Sequence, residues 1–231
     1  MLVDIFSTFD DNNFVFLSSF KIMWLLSFVT LVFYLCNKWV SGTCFEEITN
    51  IVKEVSFSQT ARSLGSKMGG FGLVICSFFI VLININLCGL LPYVFSSSAH
   101  LSLSFSFGFP LWLSLVLSGM FYKPQEFVSH FLPMGAPAAL SPFLVLVESV
   151  SICFRPLTIS VRLVANISAG HIILGLVGSY ISNGFFMLGP LSMVVLFSVE
   201  VGYFMFEIGV ALIQAYIFCL LISLYSDEHP Y

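Results

Sequence analysis

The sequence predicts an all-α integral membrane protein with about five membrane crossings, one amphipathic surface helix, and a long, steeply tilted hairpin formed by the last two helices. Hydrophobic residues occupy 58% of the 231 positions and charged residues only 9%. Soluble domains carry about 25% charged residues, so this chain has too little polar surface to cover a core in water. Apolar runs of about 20 residues recur, as α-helical spans require, so residues 1–231 are expected to form a single membrane domain.

Composition excludes several classes of function. The eight basic residues and the net charge of −4 leave no basic surface for nucleic acid. The six cysteines are scattered and form neither a CxxC pair nor a Cys/His spacing typical of metal sites, so no metal or cofactor is expected. The first twenty residues hold aspartates and no basic residue. Targeting peptides begin with basic residues, so we expect none here.

The first 70 residues predict one span and one surface helix. The span covers residues 14–36, and Lys21 near its start can extend its ammonium outward. The polar stretch 37–70 follows, with apolar residues at helical spacing: Ile48, Ile51, Val52, Val55 and Leu64. Such spacing among charged residues is typical of a helix on the membrane surface, which we place at residues 44–68.

The middle of the chain predicts two further spans. Residues 71–91 form the second span and residues 102–122 form the third, with a Ser-rich turn between them. Residues 123–142 are predicted to form a loop because prolines interrupt this segment repeatedly. Within it, Glu126 and His130 are expected to be polar residues at the membrane interface rather than ligands.

Two long helices are predicted to complete the chain as a hairpin over residues 142–225. They cover residues 142–180 and 190–225, with Asn, Gly and Pro in the turn between them. At 1.5 Å per residue they would be about 58 and 54 Å long. A bilayer core is about 30 Å thick, so both helices must tilt steeply, as helices that lie along a curved partner would.

Basic residues orient the chain in the membrane. Residues 37–70 hold most of the loop charges and residues 121–141 hold Lys123, whereas residues 92–101 and 181–189 hold no basic residue. By the positive-inside rule the first two segments face the side of synthesis. The N-terminus then faces the opposite side, and five crossings return the C-terminus to the positive side.

Arg162 is the most informative single residue, since it lies in the predicted hairpin within an otherwise apolar stretch. A guanidinium at bilayer depth costs at least ~2.5–3.5 kcal/mol on insertion scales, and such residues usually mark ion or substrate paths. Arginine also stays charged at any working pH, so it cannot relieve this cost by losing its proton. The cost therefore predicts a function for this position.

Polar residues form one stripe along the fourth predicted crossing. Glu148, Arg155 and Arg162 are seven residues apart, which returns a helix to within about 20° of the same face, and Asn166 lies about 40° away. The same face carries small residues: Thr158, Ala165 and Ala169. Small residues allow another helix to approach closely, so the stripe predicts a contact surface for a partner.

The last predicted helix repeats this spacing at Glu200, Glu207 and Gln214. Folding the hairpin about residue 188 pairs residues at equal depth: Gln214 with Arg162, Glu207 with His171, and Glu228 with Glu148. His171 is nine residues beyond Arg162, so it faces away from the stripe. Titratable groups thus approach the fixed cation from both sides of the membrane, which is the layout of two proton half-paths.

Other classes of function remain as alternatives. A secondary transporter or channel would use Arg162 as an anion site, but such proteins usually contain internal repeats and broken helices, and no repeat is evident. A haem- or quinone-binding redox subunit with bis-His ligation needs two intramembrane histidines, and only His171 qualifies. A purely structural membrane anchor does not explain the cost of Arg162.

Four motifs, in order along the chain, resemble those of one family. Residues 162–171 (RLVANISAGH) resemble its RLxANxxAGH signature, and Glu207 with residues 213–218 (IQAYIF) resembles its last-helix signature. Residues 86–92 (NLCGLLP) and 130–133 (HFLP) resemble its NLxGLLP turn and HFLP loop. The family is subunit a of F-type ATP synthases, the proton-channel subunit of their membrane sector.

This resemblance extends over residues 70–225, and the combination of His171 with Glu207 resembles mitochondrial animal members. It implies a proton-translocating subunit that is not an enzyme by itself and needs no cofactor. Its implied partners are a rotating ring of c subunits, other membrane-sector and peripheral-stalk subunits, lipid and protons. The implied location is the mitochondrial inner membrane, with the N-terminus toward the intermembrane space and the C-terminus toward the matrix.

The resemblance also implies roles for individual residues. Arg162 matches the family's invariant arginine, which lies between the two half-channels. Protons are expected to arrive from the intermembrane space along His171 and Glu207, and to leave for the matrix along Glu148 and Glu228. The remaining polar residues receive supporting roles, on the proton path or as a second charge on the ring-facing stripe: Asn166, Gln214 and Glu200 on the path, and Arg155 on the stripe.

Overall fold

The computed structural model describes residues 9, 44–91, 94, 96–132, 140–184 and 189–229. All regular structure in these ranges is helical: α1 (Cys44–Arg62), α2 (Phe71–Gly89), α3 (Leu101–Tyr122), α4 (Pro124–Ser129), α5 (Ser141–Gly184) and α6 (Pro190–Asp227), with 3-10 turns at Leu64–Lys67 and Ser97–Ala99. The predicted all-α fold is confirmed. The span predicted at residues 14–36 lies outside the described residues.

Four of the described helices, α2, α3, α5 and α6, are long and apolar enough to cross a membrane. The last two contain 44 and 38 residues. At about 1.5 Å per residue they are roughly 66 and 57 Å long, about twice the thickness of a bilayer core. The last helices therefore form the long hairpin that the sequence predicts, and their length requires a steep tilt if they are to remain in the membrane.

Helices α2, α5 and α6 share one apolar core. Its buried residues on these three helices are Ile75, Phe79, Leu82, Ile83, Ile159, Leu163, Ile167, Ala215, Phe218, Cys219 and Ile222. The three α5 residues are spaced four apart, so they form one ridge along the helix. This ridge packs into the shared core, and the opposite side of α5 is left outside it, with Phe154, Leu157 and Val161 exposed.

Helix α1 lies against the bundle through small polar residues and presents apolar residues outward. Thr49, Ser56 and Thr60 are buried, whereas an apolar set is exposed: Ile48, Ile51, Val55 and Phe57. The Gln59 side-chain amide donates a hydrogen bond to the Tyr216 hydroxyl of α6. The outward apolar surface is the arrangement expected for a helix that lies at a membrane surface.

Local sequence signals explain the connections. Gly70 has a φ of 84°, a left-handed conformation that favours glycine, and it turns the chain from the surface segment into α2. Helix α4 lies in the segment that was predicted to be a loop, and it begins at a proline, which suits a first helical position. With only six residues, α4 is too short to produce a recognisable periodic pattern.

Candidate functional site

The outward side of α5 carries the central cation. Arg162 and Asn166 are exposed, as are the small residues predicted to share their face: Thr158, Ala165 and Ala169. Arg155 and Glu148, one and two heptads earlier, are half-buried instead. Seven residues make slightly less than two full turns of an ideal helix, so residues spaced by seven shift about 20° around the helix at each step. The polar stripe therefore passes from the side near α6, at its start, to the outward side at Arg162.

Arg162 makes neither an ion pair nor a hydrogen bond with any residue in the described ranges. It lines a narrow cleft between α5 and α6, which we call the Arg162 cleft, with Gln214 on the facing helix. The rest of the cleft is apolar: Ile159, Leu163, Ile217, Phe218 and Leu221. Gln214 is thus beside Arg162, as the hairpin register predicts, without a hydrogen bond between the two side chains.

Glu207 is buried in the interface between α5 and α6, with 3% of its surface exposed. Its carboxyl group lies against Gly170, where an added Cβ would overlap it. Beside it is a cavity of about 360 Å³, the Glu207 cavity, lined by Asn166, Ala169, Gly170, Tyr203, Phe206, Glu207, Val210, Ile213 and Gln214. A buried carboxyl group at the wall of a cavity is able to exchange a proton with whatever water or side chain occupies the space.

Gln214 lines both the Glu207 cavity and the Arg162 cleft. Asn166, one turn beyond Arg162 on α5, also lines the cavity. Two amide side chains therefore lie beside the buried carboxyl group, and one of them also borders the cleft of the exposed guanidinium. Amides both donate and accept hydrogen bonds, so they suit a water-filled proton path.

His171 lies at the depth of Glu207 but on a different face of α5. Its ring meets the ring of Phe9 edge-on, with centroids 6.3 Å apart. Its Nε2 is buried, and no hydrogen-bond partner lies within the described part of the chain. No ion pair joins His171 to Glu207 among the described residues. The reason is rotation: one residue turns the helix by about 100°, so Gly170 faces α6 and His171 points to the side.

Glu200 also lies near a glycine of α5, closer to the turn of the hairpin. A Cβ added at Gly178 would lie 3.7 Å from Oε1 of Glu200. This is an ordinary van der Waals distance, so of these two α6 carboxyl groups only Glu207 requires a glycine of α5. Sequence reasoning did not identify either glycine, although folding the hairpin about residue 188 brings both to the depth of their glutamates.

Charged side chains meet at the open end of the hairpin. The Arg155 guanidinium forms ion pairs with Glu148, at 3.5 Å, and with Glu228 at the end of α6. Its Cζ also lies 5.0 Å from the centre of the Tyr225 ring. We call these four residues the open-end cluster. Glu148 and Glu228 were predicted to lie at the same depth, and Arg155 was predicted to lie on the ring-facing stripe.

A second cavity, of about 50 Å³, adjoins the open-end cluster. Arg155, Tyr225 and Glu228 line it together with two histidines that sequence reasoning did not assign to the path, His130 and His229. Helix α3 supplies an apolar wall of Trp112, Leu115, Val116 and Gly119. Among the described residues, no group of three or more His, Cys, Asp and Glu side chains is close enough to hold a metal ion.

Comparison with known proteins places the chain in one family. The family model described as ATP synthase A chain matches residues 16–227. The chain is 38% identical over 230 residues to ATP synthase subunit a of Albinaria caerulea, covering 100% of both chains. It is 34% identical over 229 residues to ATP synthase subunit a of Anopheles gambiae, covering 99% of each.

A vertebrate relative is similar over most of its length. The chain is 37% identical over 197 residues to ATP synthase F(0) complex subunit a of Alligator mississippiensis, covering 84% of this chain and 85% of the relative. These animal relatives, together with the four apolar helices, indicate a multi-pass protein of the mitochondrial inner membrane. The chain belongs to the ATP synthase A chain family, as a membrane subunit of the complex and not its catalytic chain.

Proposed function

We propose that this chain carries protons through two half-channels and couples their flow to rotation of a c-subunit ring, with Arg162 between the half-channels. The ring lies along the outward side of α5, where small residues allow close approach. Other membrane-sector and peripheral-stalk subunits contact the remaining surfaces. The N-terminus faces the intermembrane space and the C-terminus faces the matrix.

The exposure of Arg162 is the observation that carries this proposal. The guanidinium lies on the outer side of an apolar helix, with no partner in the described part of the chain. A charge left facing lipid at this depth would cost at least ~2.5–3.5 kcal/mol, so a carboxylate on another subunit is the partner that its position requires. An anion transporter would instead enclose such a cation in a site within the chain.

The Glu207 cavity supports an inflow half-channel. Protons from the intermembrane space pass Glu200, His171 and Glu207, and then reach Arg162 along Asn166 and Gln214. The buried carboxyl group, the cavity of about 360 Å³ and the amide that borders both spaces are consistent with this order. The outflow half-channel lies at the other end of the hairpin, where Glu228 lines the second cavity, which we call the outflow cavity. Glu148 pairs there with Arg155, another residue of the cavity wall.

Arg162 separates the two half-channels electrostatically. A proton arriving from Glu207 neutralises a ring carboxylate, which can then enter lipid as the ring rotates, since its charged form is too costly there. On the outflow side the guanidinium favours the ionised carboxylate, so the proton is released toward Glu148. Because arginine does not give up its own proton, it cannot relay protons directly between the half-channels. Each proton contributes about 2.3 kcal/mol per 100 mV of membrane potential.

Replacing Arg162 tests this proposal in the assembled complex. Arg162→Ala is expected to abolish ATP synthesis driven by an imposed proton gradient, while subunit composition stays normal. Arg162→Lys keeps the charge, and Lys123→Gln is the matched control, because Lys123 forms an exposed ion pair with Glu126 and lines neither the Arg162 cleft nor either cavity. Coupled synthesis at the normal rate in Arg162→Ala complexes would contradict the proposal.

A further inference from the structure

The open-end cluster contains a cation that the proposed coupling mechanism does not use. Arg155 lies seven residues before Arg162, yet its guanidinium points to the end of α6 and contacts Glu228 as well as Glu148. The Tyr225 ring covers its face. Arg155 is thus the only described residue to form ion pairs with both carboxylates of the open-end cluster.

We propose that Arg155 is a positioning residue for proton release, acting through Glu148. It pairs with this carboxylate at the edge of the outflow cavity, and through Glu228 it fastens the end of α6 to α5. This inference rests on the proposed function, in which Glu148 lies on the outflow path.

Charge balance supports a role beyond stability. One guanidinium lies between two carboxylates, so the cluster keeps one negative charge that is not neutralised within it. The side chains of Arg155, Glu148 and Glu228 retain 21%, 40% and 33% of their exposure. These ion pairs are only partly buried, and partly exposed ion pairs contribute little to stability, so stabilisation alone is a weak reason for the arrangement.

The backbone beside Arg155 adds a further polar group. Pro156 lies inside α5 and has no N–H, so the carbonyl of Ile152 loses its helical donor. Ile152 lines the outflow cavity together with Arg155. A carbonyl without its helical donor is an available hydrogen-bond acceptor in the same turn of α5 as Arg155.

Other ionisable groups surround the cluster. Tyr225 and His229 contribute from the end of α6, and His130 follows α4. Arg162, farther along α5, is close enough to Tyr225 of α6 to interact with it electrostatically. Helix α3 contributes the apolar wall described above, with no ionisable side chain lining the cavity. Arg155 is therefore the nearest fixed positive charge to Glu148 in the described chain, and its removal should alter proton release most strongly.

The sign of the effect follows from the charges. Removing the cation disfavours the ionised carboxylate, so Arg155→Gln should move the pH profile of proton conduction to higher pH on the C-terminal side, by about one unit. Removing the neighbouring anion has the opposite effect, so Glu228→Gln should move the profile to lower pH. Both variants break the same ion pair, and a purely structural role predicts no such opposition.

The experiment uses the complex in proteoliposomes after its catalytic sector has been stripped away. Passive proton flow is driven by a potassium diffusion potential while the pH on the C-terminal side is varied. Arg155→Gln should slow flow about tenfold at a pH where the native complex conducts well, and Arg155→Lys should restore most of it. Lys123→Gln, which removes a positive charge elsewhere on the chain, should leave the profile unchanged.

Each result decides the matter. An unchanged profile in assembled Arg155→Gln complexes, a shift of equal sign in Glu228→Gln, failure of Arg155→Lys to restore flow, or an equal shift in Lys123→Gln overturns the inference. If Arg155→Gln fails to assemble, the profile of Glu228→Gln alone decides, and only a shift to lower pH supports it. Loss of synthesis in Arg162→Ala with a native profile in Arg155→Gln would overturn this inference and leave the proposed function standing.

Discussion

Gly170 on α5 lies directly against the carboxyl group of Glu207 on α6. A Cβ at position 170 would overlap the carboxyl oxygens, so the two helices approach this closely only because the residue is glycine. The contact also fixes where the carboxyl group points, because Glu207 is buried and lies at the wall of its cavity. A backbone position without a side chain thus determines the placement of the most deeply buried acid in the hairpin.

Gly170→Ala is expected to displace the Glu207 carboxyl group or to separate the two helices. Overpacking of this kind typically costs about 1–3 kcal/mol, so the assembled complex should denature at a lower temperature and conduct protons more slowly. Gly175→Ala is the matched control on the same helix, because a Cβ there meets nothing within 4 Å. Equal behaviour of the two variants would show that the Gly170 contact has no consequence for the hairpin.

Gln214→Leu tests the connection between the Glu207 cavity and the Arg162 cleft. Leucine has a similar volume, so packing is retained, but the amide that borders both spaces is lost. We expect passive proton flow to fall at least about tenfold, because a positioned proton-transfer group typically contributes a factor of 100 or more. Normal flow through correctly assembled Gln214→Leu complexes would remove this side chain from the path.

A suitable control for that substitution is Leu212→Met. Leu212 lies two residues earlier on α6 and is 42% exposed, so it is outside the interface with α5. The exchange preserves volume and apolar character. Slower flow in the control as well would indicate a general effect of substitutions in this part of the helix and not the loss of a polar connection.

The elements of the fold were predictable because apolar length and turn residues determine them. Helices α2 and α3 begin and end within two residues of the predicted spans, and α6 extends two residues beyond its predicted end. Helix α5 continues four residues beyond its predicted end at residue 180, to Gly184. Ser and Asn lower helix stability only slightly, and tertiary packing overrides so weak a preference. Helix α4 was missed, since six residues carry too little periodicity.

The depth of each site residue along the hairpin was more predictable than the face of the helix on which it lies. Folding the hairpin about residue 188 placed Glu148 and Glu228 at one level, and both carboxylates meet Arg155. The same register brought His171 level with Glu207, but Gly170 occupies the facing position. Which face of a helix meets its neighbour depends on crossing angle and side-chain packing, and a single sequence contains neither directly.

The hydrogen bond between Gln59 and Tyr216 offers a test of how α1 is held against the hairpin. Tyr216→Phe removes the hydroxyl that accepts from the Gln59 amide, and both side chains lie partly buried. A hydrogen bond of this kind contributes about 0.5–1.5 kcal/mol, and leaving a partner unsatisfied adds to the loss. The single variant Tyr216→Phe should therefore lower the thermal stability of the complex measurably.

A double-mutant cycle separates this bond from other effects of the substitutions. Gln59→Leu alone should destabilise the complex, and Gln59→Leu with Tyr216→Phe should cost less than the sum of the two single changes, because the second change breaks no further bond. The measurement is thermal denaturation of the purified complex, monitored through dissociation of the membrane sector. Strictly additive losses would mean that the two side chains do not interact in the assembled protein, and that α1 is held instead by its small buried residues Thr49, Ser56 and Thr60.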